Sequence, residues 1–127
     1  MQRVIVTLNS QAVNEERKVE ALVLPRLLEG RSLEGKTVVV FDVLRATTTI
    51  ISGLASGIRR FRAFASLDEA KAATVAANPR PILIGELHAL PAPGVDLGNS
   101  PRQWKPEHAG REVFMATTNG TKAMNAA

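Results

Sequence analysis

The chain is 127 residues long, about the size of one ordinary domain, and an apolar fraction of 45% is enough to fill a single core. It has no cysteine, which excludes disulfides, thiolate metal sites and cysteine nucleophiles together. The net charge of +4 suggests an acidic partner, yet the excess is scattered before about residue 62 and the signs balance thereafter.

Arg3 to Leu8 alternates and is β-branched, which predicts a first strand; Val19, Leu22, Val23, Leu27 and Leu28 follow at helical spacing, predicting a helix over Asn14 to Leu28 that Pro25 kinks or interrupts. Thr37 to Phe41 is a continuous apolar run, the pattern of a central parallel strand covered on both faces, and Asp42 ends it. A small-residue helix over Thr47 to Ser56 closes at Gly57, and Arg60 to Phe64 returns as strand. Ser66 and Glu69 form a capping-box signature ahead of an alanine-rich helix that Asn78 and Pro79 stop.

Pro81 to Ile84 is a further buried strand, ending at Gly85 and Glu86. Leu87 to Asn99 is a long loop rich in proline and glycine, which makes it a candidate binding loop. Ser100 and Pro101 read as the start of a short helix, Trp104 as its anchor to the core, and Val113 to Ala116 as a last strand before a helix opening at Thr121. Strands alternating with helices imply an α/β fold, three-layer α/β/α with a largely parallel (mixed) sheet, in which ligands gather at the carboxyl ends of the strands.

Three strands end in polar clusters: Asp42 to Thr49, Gly85 and Glu86, and Thr117 to Thr121. In a parallel sheet all three lie along one edge, so Asp42 and Glu86 come near one another, with Asp96 of the long loop able to join them. Hard oxygen ligands in that number suit Mg²⁺, which binds through a few carboxylates, keeps waters and bridges to substrate phosphate. Arg45 offers a planar fork for phosphate or sulfonate. Thr47, Thr48, Ser100, Gly120 and Thr121 stand where helices start, so their hydroxyls and amides can receive an anion. The plainer readings are that Asp42 caps a turn, Glu86 is a solvated strand end, Arg45 pairs with Asp42, and each hydroxyl is an ordinary cap. His108 reads as surface, while His88, in the long loop, is available as a general acid.

Together, Asp42-Val43-Leu44-Arg45-Ala46-Thr47-Thr48-Thr49-Ile50, Gly94-Val95-Asp96-Leu97-Gly98-Asn99-Ser100-Pro101 and Thr117-Thr118-Asn119-Gly120-Thr121 closely resemble the signature segments of the 2-phosphosulfolactate phosphatase family, in order and in spacing. The resemblance covers essentially the whole chain. It implies an α/β/α fold and an Mg²⁺-dependent acid phosphatase that converts 2-phosphosulfolactate to sulfolactate and phosphate, a step toward coenzyme M. Carried over residue by residue, it points to Asp42, Arg45, Glu86, Asp96, Asn99, Ser100, Thr118, Asn119 and Thr121. Two departures stand out: family members usually continue for about as many residues again, so this chain reads as the N-terminal part of a longer phosphatase, and Leu87 stands where the family has arginine.

The expectation is therefore a phosphatase with Asp42, Arg45, Glu86 and Asp96 as catalytic residues and Asp42, Glu86 and Asp96 holding Mg²⁺. Thr47, Thr48, Asn99, Ser100, Thr118, Asn119, Gly120 and Thr121 would bind substrate. The expected partner is a small phosphate- or sulfonate-bearing molecule; a homo-oligomer is compatible with the sequence. Since Met1 to Thr7 lacks a secretory leader and no apolar stretch nears the roughly 20 residues of a membrane span, the cytoplasm is the expected location. A non-catalytic anion-binding module is the alternative. Nucleic-acid binding through Arg59, Arg60 and Arg62 is not expected, because a solvated strand face explains that charge pattern.

Overall fold

The structure, a computed structural model, describes residues 5–9 and 19–127. Its strands are β1 (Ile5–Asn9), β2 (Val19–Leu22), β3 (Lys36–Val40), β4 (Arg60–Ala63), β5 (Ile82–Leu87), β6 (Leu90–Pro91) and β7 (Glu112–Ala116), and its helices α1 (Ala46–Ala55), α2 (Leu67–Ala76) and α3 (Gly120–Ala126). β4, β7 and β5 pair in parallel, and the two-residue β6 folds back antiparallel on β5, giving a four-stranded mixed sheet of order β4-β7-β5-β6. β1, β2 and β3 form a separate antiparallel sheet of order β2-β1-β3.

Alternation along β7 divides the main sheet's two faces. Val113 and Met115 join Ile82 and Ile84 of β5 on one side, packed by Ala46 and Ile50 of α1 and Met124 of α3. Phe114 and Ala116 join Leu83 on the other, packed by Leu67, Ala70 and Ala73 of α2. Helices thus cover both faces, as expected for α/β/α layering. Ile84, Met115 and Val113 are fully buried, each contributing about 1.5–3 kcal/mol relative to an exposed side chain.

Local chemistry sets the helix ends. Ser66 Oγ accepts the Glu69 amide proton and caps α2, and α1 passes close over β4 because Gly53 has no side chain: a Cβ there would stand 2.5 Å from Phe61 Cζ and 2.9 Å from Trp104 Cε2. Trp104, expected to anchor a short helix, instead ties an irregular segment to α1 and β4, donating from Nε1 to Thr49 O at 3.1 Å and meeting Phe61 edge-on.

Three expectations need correction. The helix over Asn14 to Leu28 is absent where described: Val19–Leu22 is β2, paired with β1, and Pro25–Leu28 is a single 3-10 turn; Asn14 to Lys18, like Arg3 and Val4 of the first strand, lies outside the described residues. β3 is not central in the parallel sheet, since it pairs antiparallel with β1; Val38 and Val40 pack with Leu22 and Leu28 against Ala123 of α3. No helix follows Ser100, whose hydroxyl accepts from Arg102 N in a turn, and a 3-10 turn appears only at Pro106–His108. Proline at 101 and again at 106 limits the amide donors a longer helix would need. Among the described residues no helix is long and apolar enough to cross a membrane.

Candidate active site

Parallel β5 and β7 end side by side, Gly85 opposite Ala116, so the next residues of each strand meet. Thr118 donates its hydroxyl to Glu86 Oε1 at 3.1 Å. On the other carboxylate oxygen, Arg45 Nη2 donates to Glu86 Oε2 at 2.8 Å and also to Ala89 O at 2.9 Å. Asn99, from the end of the long loop, donates to the same carboxylate. Burial pushes the Glu86 carboxyl up, but the hydrogen bonds from Arg45, Thr118 and Asn99 and the Arg45 charge outweigh it, leaving its pKa below the usual glutamate value.

Arg45 reaches Glu86 because the turn before α1 is braced from within. Thr47 Oγ1 accepts the Asp42 amide proton at 3.1 Å, Thr47 N donates back to Asp42 O, and Thr48 Oγ1 donates to Val43 O. Both threonine hydroxyls, expected as anion donors, instead hold this turn. Asp42 is buried behind it, with 3% exposure. Its Oδ2 would lie 2.6 Å from a Cβ at Gly120, and Ala46 Cβ 2.5 Å from it, so only glycine lets the start of α3 close on this carboxylate.

Thr121, also expected to bind substrate, is buried and engaged: its hydroxyl donates to Thr117 O and accepts from Thr117 N, while Thr117 Oγ1 accepts from Thr121 N. This reciprocal pair fixes the bend that turns Thr118 and Asn119 outward. Both are exposed, and Gly120 is buried beneath them.

Asp96 does not join Glu86. Its carboxylate takes both guanidinium nitrogens of Arg80, at 2.9 and 3.0 Å, and the Leu83 amide proton at 2.8 Å, while its own amide donates to Leu83 O. Burial raises its carboxyl, but Arg80, the Leu83 amide and the Arg80 and Arg111 charges bring it below the usual aspartate value. It therefore clamps the long loop to the beginning of β5, and among the described residues no group of three or more acidic, histidine or cysteine side chains converges on a metal position. Asn99, whose side chain hydrogen-bonds Glu86, keeps its Oδ1 buried without a hydrogen-bond partner.

A cavity of about 250 Å³ opens beside Glu86, lined by Ser66 and Leu67 at the start of α2, Leu87, Thr118 and Lys122. Ser66 and Lys122 were not among the expected site residues. The α2 cap was legible as a cap, whereas nothing in the pattern Gly120-Thr121-Lys122 announces that the lysine faces β5.

An arginine, hydroxyls and a lysine thus surround one carboxylate at the carboxyl edge of a mostly parallel α/β sheet, the edge at which ligands of such folds usually bind. The 2-phosphosulpholactate phosphatase family matches residues 22–127, and the chain belongs to it. Similar proteins include a probable 2-phosphosulfolactate phosphatase of Synechococcus sp. (strain CC9605), 46% identical over 98 residues, covering 75% of this chain and 40% of the relative. Those of Clostridium perfringens (strain 13 / Type A) and Carboxydothermus hydrogenoformans are each 38% identical, over 112 residues (85% of this chain, 45% of the relative) and 110 residues (87% and 44%). The chain thus spans less than half the length of these relatives.

Proposed function

We propose that this chain carries the phosphate-ester site of a 2-phosphosulfolactate phosphatase, hydrolysing 2-phosphosulfolactate, or a closely related small phosphate monoester, to the hydroxy acid and phosphate. The observation that carries this reading is Glu86, held by Arg45, Thr118 and Asn99 at the carboxyl ends of β5 and β7 in a chain of that family.

The three-carboxylate Mg²⁺ site does not fit, since Asp96 is committed to Arg80. A smaller donor set would serve: Mg²⁺ needs only one or two carboxylates and keeps its waters, and Glu86, Asp42 and the side-chain oxygen of Asn99 are hard donors of the required type. Mg²⁺ there would supply charge neutralisation at the phosphoryl oxygens. Arg45 supplies planar hydrogen bonds to the same oxygens as their charge develops. A lowered pKa makes the Glu86 carboxylate a weak proton acceptor, better suited to orienting water or a cation. Burial behind the 42–47 turn keeps Asp42 from reaching an ester phosphorus, which favours direct attack by water. The new P–O bond then comes from water, the ester P–O bond breaks, and the leaving alkoxide takes a proton.

Inorganic phosphate release from 2-phosphosulfolactate and a panel of phosphate monoesters, with Mg²⁺ and with chelator, tests this. Metal-dependent release from the sulfonated substrate is expected; none from any ester would leave the non-catalytic anion-binding reading, which exposed Leu87 beside Glu86 favours because it adds no cation to the cavity.

A further inference from the structure

The amino ends of the same strands enclose a second cavity, of about 370 Å³, where four arginines gather: Arg59 and Arg60 at the start of β4, Arg111 just before β7, and Arg80 just before β5. Parallel pairing brings them together, with Arg60 opposite Glu112 and Arg59 N donating to Arg111 O. Two opposing charges answer them: Glu112 pairs with Arg60 at 2.7 Å and Asp96 with Arg80. Arg111 Nη2 donates only to a neutral acceptor, Arg80 O, and among the described residues neither an ion pair nor a hydrogen bond holds the Arg59 guanidinium. The cavity therefore keeps an excess of two positive charges.

Arg62 takes no part, since its guanidinium stacks over Phe64 and Phe114 on the α2 face. A long basic stripe for nucleic acid is thus not formed. What remains is an enclosed patch within the size range of small-molecule pockets, and guanidinium forks match the oxygens of phosphoryl groups. We propose that this cleft is a second anion site, taking a small phosphate monoester. About 15 Å of β5 separates it from Glu86. The two ends are mechanically joined: Arg80 holds Asp96, and the loop that Asp96 clamps also bears Asn99, a donor to Glu86.

The test is a titration of the isotopically labelled chain, followed by backbone amide NMR, with glycerol 3-phosphate, inorganic phosphate and a short single-stranded oligonucleotide. It is run on the Arg45→Ala background, so that loss of the Glu86 site and loss of the cleft are separable. Saturable shifts at Arg59, Gly110 and Arg111 with glycerol 3-phosphate are expected, with inorganic phosphate weaker, and Arg59→Gln/Arg111→Gln weakening binding about tenfold or more, the scale of a lost charged hydrogen bond. The milder Arg111→Lys, checked for native shift dispersion, should weaken it too, because a lysine cannot form the fork. Non-saturating shifts matching those from chloride, equal affinity for inorganic phosphate, tighter binding of the oligonucleotide, or unchanged affinity in folded variants would each overturn the proposal.

Discussion

Glu86 and Asp96 are both carboxylates held by an arginine, and β5 separates them: Glu86 near its end, Asp96 against its beginning. Asp96 spends its acceptors on Arg80 and the Leu83 amide, both belonging to the frame. Glu86 takes side-chain donors from three segments, Arg45 before α1, Thr118 after β7 and Asn99 of the long loop. The first arrangement ties a loop to a strand; the second gathers chemistry at an edge. An ion pair thus says little about role until its partners' origins are known.

The largest effect that would break this contrast is on turnover. Arg45→Ala should lower phosphate release by about 10²–10³-fold, the scale of removing an oxyanion donor, whereas Arg80→Ala should leave it within a few-fold; equal losses would erase the distinction. On the stability side, Gly120→Ala forces a methyl against Asp42 and Ala46 and should cost about 1–3 kcal/mol by overpacking, read by denaturant unfolding. Asp96→Ala should cost about 1–2 kcal/mol, mostly from stranding the Leu83 amide, since the half-exposed Arg80 pair contributes little.

Acid titration sharpens the comparison further. Both carboxyls sit below their ordinary values, so the unfolded chain binds protons more readily than the folded one as pH drops. The stability each contributes is complete above the ordinary carboxylate range and is lost as pH falls through the depressed folded values. Asp96→Asn and Glu86→Gln should each flatten that acid limb, followed by circular dichroism from neutral pH downward. The smallest expected change is Ser66→Ala, about 1 kcal/mol for the lost α2 cap.

Much of the main sheet was legible because its pieces carry local signals: the apolar run Val113 to Ala116 of β7, the run Ile82 to Ile84 of β5, and Ser66 with Glu69 ahead of α2. Glu86 and Arg45 were legible as chemistry through motif and strand-end position, though their direct pairing, 41 residues apart, was not. The helix expected over Asn14 to Leu28 failed because Val19, Leu22 and Val23 fit either period, and antiparallel pairing with β1, a non-local event, decided between them. Asp96 shares its motif with Asn99, yet only the folded chain sends one to Arg80 and the other to Glu86. The Thr117 and Thr121 pair, four residues apart, could have been read as a mutual cap.

The most direct test of the central claim is the rate of phosphate release from 2-phosphosulfolactate by the unaltered chain and by Glu86→Gln, each with Mg²⁺ and with chelator. Turnover that requires Mg²⁺ and collapses in the folded variant is the predicted result. A variant as active as the parent would contradict the assignment of Glu86 to the reacting edge.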